Sequence, residues 1–148
     1  MAWTNKQRKW FHRVYGNRCA FHEIRYGVWR RCTQTERLQV HHIVPTRAAK
    51  RWLPEFERNR CLNGIPLCLK HHCLVHPDLD LAFQQYRAGD KQSFKEIIHD
   101  RDVVVDAGEI YWDSQWDWMF HRIAKRFVFR YLAKHPDDKF PEKSKRWR

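Results

Sequence analysis

The sequence predicts an α+β fold: a small core of two strands and a helix, preceded by an N-terminal helix and followed by a mainly helical extension. Three observations carry that expectation. Two short runs alternate apolar with polar residues, Leu38 with Val40 and Ile65 with Leu67. Apolar residues at helical spacing mark the start of the chain and a long stretch near its end. All five cysteines fall within the first 76 residues, which also hold the histidine pairs His41-His42 and His71-His72. The expected division is residues 1–77 for the core, 78–138 for the extension and 139–148 for a mobile basic tail.

Each element has a local reason. Thr4 and Gln7 fit a capping box, and Trp10, Phe11 and Val14 keep helical spacing until Gly16, which predicts a helix over about residues 5–15. Leu38 and Val40 lead as a strand into His41 and His42, and Pro45 ends it. Residues 46–60 form a basic connection in which Trp52, Leu53 and Phe56 can pack as a short helix, interrupted by Pro54. Asn63-Gly64 is a turn signal before the second strand. Cys68 to His76 reads as a turn running into a helix, closed by Pro77. Beyond it come a helix from Gln92 to His99, a short strand at Val103–Val105 and a long helix from a Ser114 cap to about Lys134. That last helix sets Trp116, Phe120, Ile123, Phe127 and Tyr131 along one stripe and Arg122, Arg126 and Arg130 along another.

A chain of 148 residues, 43% hydrophobic, has room for one compact domain with appended helices and not for a large multi-domain enzyme. Lys and Arg number 29 against 17 Asp and Glu, a formal charge of +12, which points to a polyanionic partner. The excess is uneven: residues 1–76 carry 15 basic and 4 acidic residues, residues 77–148 carry 14 and 13. Metal-ligand residue types and positive charge thus share one half, as expected where a metal works on phosphate. No apolar run reaches the roughly 18 residues of a membrane span, so no membrane partner is expected. Met1 to Trp10 lacks a signal core, which makes the cytoplasm the expected location. In that reducing setting an odd number of cysteines reads as metal ligands or buried thiols.

Spacing then separates two groups of ligands. On a helix His72 and His76 stand one turn apart, roughly 6 Å between Cβ atoms, so both imidazoles can reach one cation. His71 points about 100° away and can serve another site. Cys19-x-x-His22 and Cys68-x-x-His71 are matching half-sites that together supply four N/S ligands for a tetrahedral zinc. Cys73 is the alternative to His71. Cys32 and Cys61 fit neither site and are expected to be small buried hydrophobes.

The run Asn17-Arg18-Cys19-Ala20-Phe21-His22, then Leu38-Gln39-Val40-His41-His42-Ile43-Val44-Pro45, then Asn63-Gly64-Ile65-Pro66-Leu67-Cys68 through His72 to His76, resembles the HNH endonucleases. The resemblance covers roughly residues 4–77 and implies a ββα-metal core stapled by zinc. By position it makes His41, His72 and His76 the ligands of a catalytic divalent cation, His42 the general base, and Asn63 the residue that orients the base and braces its loop. The implied reaction is hydrolysis of DNA, double-stranded by expectation, leaving 5′-phosphate and 3′-hydroxyl ends. Arg47, Lys50, Arg51, Arg58 and Arg60 would hold adjoining phosphates. Two departures from the family pattern matter. Its knuckles are most often all cysteine, whereas His22 and His71 take second places here. Many members have Asp where this chain has His41, and imidazoles favour Mn2+, Ni2+ or Zn2+ over Mg2+. A homodimer would suit double-strand cutting. The rival readings are a zinc-stabilised nucleic-acid-binding module without catalysis and an indiscriminate, toxin-like nuclease.

Overall fold

The computed structural model describes residues 3–44, 49, 59–106 and 114–142. Among these, five helices accompany two small antiparallel sheets of two strands each, in keeping with the α+β expectation. The expected helix around Trp52, Leu53 and Phe56 lies outside the described residues, as do Arg47, Lys50, Arg51 and Arg58.

Helix α1 spans Asn5–Tyr15, with the capping box formed in both directions: Gln7 N donates to Thr4 Oγ1 at 3.1 Å and Thr4 N to Gln7 Oε1 at 3.0 Å. Gly16, in the left-handed region at φ 71°, ends it. The sequence reading missed the next element, a hairpin of β1 (His22–Arg25) and β2 (Val28–Arg31). Its two-residue turn, Tyr26-Gly27, holds φ of 51° and 75°, the conformation that suits the twist of a tight hairpin.

Strand β3 (Gln39–His42) pairs antiparallel with β4 (Gly64–Leu67), Gln39 opposite Leu67 and His42 opposite Gly64. A 3-10 turn at Arg60–Leu62 leads into β4, and α2 (Leu69–Val75) follows it at once. The two strands and the helix read from the sequence are therefore present, while the connection between the strands lies mostly outside the described residues. Gly64 is not a hairpin glycine. It opens a buried strand, and a Cβ there would sit 2.3 Å from the Phe11 ring, so the missing side chain is what lets α1 lie on β4.

Pro77 closes α2 and also opens a further helix, α3 (Pro77–Arg87), from its first turn, where a missing N–H costs nothing. Gly89, at φ 87°, turns the chain into α4 (Lys91–Asp106), which packs against α3. The strand expected at Val103–Val105 is instead the last turn of α4: the β preference of three valines yields to a helix already running beneath them. Helix α5 (Ser114–Lys134) buries Phe120, Ala124 and Val128 in the same core as Trp10, Phe11 and Tyr15 of α1 and Ile65 and Leu67 of β4.

The start of the expected mobile tail is anchored. Phe140 lies 5.1 Å from Trp10 and 5.4 Å from Phe11, Trp10 Nε1 donates to the Asp138 carbonyl at 2.8 Å, and Gln7 Nε2 donates to that of Pro141 at 3.0 Å.

Candidate metal centres

The first cluster gathers Cys19, Cys32, Cys68 and His71, whose ligand atoms all lie within 4.8 Å of one another. His71 Nδ1 is 3.2 Å from Cys68 Sγ and 3.6 Å from Cys19 Sγ. Zinc bonds of about 2.3 Å to sulfur and 2.0–2.1 Å to nitrogen set tetrahedral S and N ligands about 3.5 Å apart, so the spacing fits. Burial pushes the Cys19 thiol up to about 12 and holds the His71 imidazole below its ordinary value, hence neutral and able to ligate. Glu23 Oε1 stands 3.5 Å from His71 Nε2, at the limit of a hydrogen bond, and Phe21 stacks on the ring at 4.1 Å. Together they orient the imidazole with Nδ1 toward the sulfurs. The cluster can hold a metal such as zinc.

This corrects the expected ligand set, because Cys32 stands where His22 was placed. The hairpin is the reason. It returns the chain so that Cys32 N donates to the Phe21 carbonyl at 2.8 Å and Cys19 N to that of Gln34 at 2.9 Å, which brings the two cysteines side by side. Phe21 faces His71, so the alternation of a strand turns His22 away. Its Nδ1 meets the Ala20 carbonyl at 2.7 Å, and its ring lies near Trp29 and Phe127. His71 rather than Cys73 joins the cluster. Cys61, half-buried, belongs to neither group.

The second cluster is made of His41, His72 and His76, again with ligand atoms within 4.8 Å of one another. His41 comes from the end of β3, His72 from α2, and His76 from the residue that joins α2 to α3. His76 Nε2 is 3.2 Å from His41 Nδ1, close to the roughly 3.3 Å between two nitrogens on one tetrahedral cation. Gln39, two residues before His41 on the same face of β3, places Oε1 2.6 Å from His72 Nδ1. That contact puts the proton on Nδ1 and leaves the lone pair on Nε2. His41 and His76 are buried and His72 is half-exposed, so the group opens to solvent on the His72 side. Three imidazoles can hold a divalent ion of borderline softness and leave coordination positions for other ligands.

His42 is not in that cluster. Adjacent strand residues leave on opposite faces, and its ring lies flat on Trp3, 4.2 Å away with the planes 8° apart. Trp3 is buried, with the Arg60 guanidinium 5.1 Å from its ring. Arg60, expected on the surface among the phosphate contacts, is therefore buried. Asn63 Oδ1 accepts from Val44 N at 2.8 Å, and its Nδ2 donates to the Val44 carbonyl at 2.9 Å. Both ends of the amide are spent on the backbone two residues beyond His42, so Asn63 is a brace.

Sequence reasoning missed Cys32, Gln39, Glu23 and Trp3. Tyr26-Gly27 between Cys19 and Cys32 was the available signal for the first, and the i, i+2 relation to His41 for Gln39. Nothing local marked Trp3. Comparison with protein families, with curated proteins and with solved structures found no match.

Proposed function

We propose that this protein is a metal-dependent endonuclease of the HNH type, hydrolysing DNA to 5′-phosphate and 3′-hydroxyl ends. One observation carries the reading. Three imidazoles converge from the end of one strand and from the helix that follows its partner, while a separate thiol-rich cluster braces the same short scaffold. A purely structural zinc module needs the thiol-rich group and has no use for the imidazoles.

In this reading His41, His72 and His76 hold a divalent ion that would supply positive charge for the phosphoryl and leaving oxygens. In-line hydrolysis brings water in opposite the leaving oxygen, so the base belongs on a different side of phosphorus from the three ligands. His42, adjacent in sequence to His41 and projecting from the other face of β3, suits that place. Its imidazole takes the proton of the attacking water. Trp3 fixes the plane of the ring, and Asn63 fixes the backbone behind it. Gln39 keeps His72 in the tautomer that ligates. The excess of basic residues in the first half draws in duplex DNA.

Plasmid cleavage in each of several ions, for the parent and His42→Ala, tests the reading. Manganese or nickel should support cutting better than magnesium, because the donors are all nitrogen. His42→Ala should lose cleavage about 100-fold or more and keep DNA binding and zinc. Cleavage that persists in pure His42→Ala would refute the base assignment. No cleavage by the parent in any ion would leave the non-catalytic binder standing. Discrete fragments would mean site selection, and a smear would mean the toxin-like alternative.

A further inference from the structure

Between the β1–β2 hairpin and α5 lie two adjoining clefts whose exposed tryptophans and arginines none of these roles uses. One, about 360 Å3, is lined by His22, Trp29, Trp118, Arg122, Arg126 and Phe127; the other, about 400 Å3, shares its two tryptophans. Volumes of this order suit a small-molecule-sized group rather than a second protein. Trp29 is 48% and Trp118 56% exposed, an unusual amount of indole surface to leave in water.

The charge of the clefts is as uneven as their apolar lining. Arg122 places its guanidinium 5.0 Å from the Trp118 ring, and Arg126 follows one helical turn later, also exposed. Among the described residues neither pairs with a carboxylate; Glu23, which lines the larger cleft, lies 3.2 Å from Arg25, and Asp117 lies 3.4 Å from His121, an imidazole that burial pushes down to about 4. The wall therefore offers two flat apolar faces and two uncompensated cations within one small volume.

We infer that this groove binds an unpaired nucleotide of a single-stranded nucleic acid, its base stacked on Trp29 and Trp118 and its phosphate held by Arg122 and Arg126. Base faces are available to an indole only where a strand is unpaired, because a duplex hides them in its stack. An apolar peptide would leave both guanidiniums desolvated without a partner. Stacking by itself sets no sequence preference, since every base has a π-face. The inference shares with the nuclease reading only the need for nucleic acid. It would give a nuclease a hold on a melted or displaced strand beside its cut.

The test uses the full chain with its metals and a fluorescein-labelled oligothymidylate, with binding followed by anisotropy from 0.05 to 0.3 M salt. Trp29→Ala with Trp118→Ala should weaken binding about tenfold or more, each stacked base contributing on that scale, and leave the salt slope unchanged. Arg122→Ala with Arg126→Ala should weaken it and flatten the slope by about 1.4, the value for two phosphates on a single strand. Trp29→Phe should retain most of the affinity. Zinc content and helical circular dichroism serve as folding controls, and both should stay at parental values because all four side chains are exposed. A tryptophan pair variant that keeps these controls and binds within twofold of the parent overturns the inference. So does a parent that prefers duplex to the same length of single strand while the variants lose both equally. If the parent cuts no DNA in any ion but the tryptophan variant still loses oligothymidylate binding, the nuclease reading falls and the groove stands. Intact cleavage with unaffected oligothymidylate binding has the opposite meaning.

Discussion

The two metal-ligand clusters differ in every property that decides what a cation does. The first offers three sulfurs and one nitrogen, enough to close a tetrahedron, from three separate stretches of chain. Among the described residues the second offers three nitrogens, too few to close one, and has one half-exposed member. A closed, soft site staples the chain. An open, borderline one leaves room for water and phosphate. Position teaches the same lesson: Cys68 and His71 lie at the start of α2, while His72, about 100° further round, and His76 at its end face the other cluster, so one short helix feeds two sites of opposite character.

Removing a ligand of the closed cluster gives the largest expected effect. Cys32→Ser should lose zinc and lower the thermal midpoint by more than 10 °C, since structural zinc contributes on the order of 10 kcal/mol to folding. His22→Ala should keep one zinc per chain. Metal analysis of both variants settles which of the two residues ligates, and a zinc-free His22→Ala protein would restore the original half-site. In the open cluster His76→Ala should leave the fold and its zinc in place, yet reduce cleavage at least 100-fold in every ion. If it unfolds the chain as Cys32→Ser does, the contrast between the two clusters is lost.

Much of this was legible in the sequence. The capping box at Thr4, the strand into His41 and the i, i+4 pair His72 and His76 are local signals, and local geometry honours them. What could not be read is non-local. Cys32 joins the cluster only because a hairpin folds back, and Cys-x-x-His spacing describes His22 equally well until the alternation of β1 turns that side chain away. Trp3 reaches His42 across 39 positions, and Phe140 reaches Trp10 across 130. Proline opens a helix as readily as it closes one, and only the residues after Pro77 decide that it does both here.

Smaller effects probe the frame that the clusters share. Gly64→Ala should destabilise the fold by about 1–3 kcal/mol, because Phe11 or the strand must move to admit the methyl group. Denaturant unfolding would detect this, and a change below about 0.5 kcal/mol would show that the contact relaxes freely. Trp3→Ala should lower cleavage more than it lowers DNA affinity, since the stacked ring positions His42. Equal loss in both would make Trp3 a packing residue alone.

Weakest is the clamp outside both clusters, where Arg13 meets Asp138 through two contacts of 3.0 Å. Hydrogen bonds from Arg13 and Tyr131 hold the Asp138 carboxyl below its ordinary value. Its stabilisation is therefore present above the unfolded carboxylate pKa and is lost as pH falls through the lower folded value. The pair is exposed, so Asp138→Asn should cost less than about 1 kcal/mol at pH 7 and nothing in acid. Stability measured from pH 7 to pH 2 checks both statements, and an undiminished difference at low pH would contradict them.

Anomalous scattering from crystals of the zinc-loaded protein soaked in manganese, recorded at both absorption edges, reads the central claim directly. The account predicts a zinc peak bonded to Cys19, Cys32, Cys68 and His71 and a separate manganese peak among His41, His72 and His76. A single shared peak, or manganese displacing zinc at the sulfurs while the imidazoles hold nothing, would contradict it.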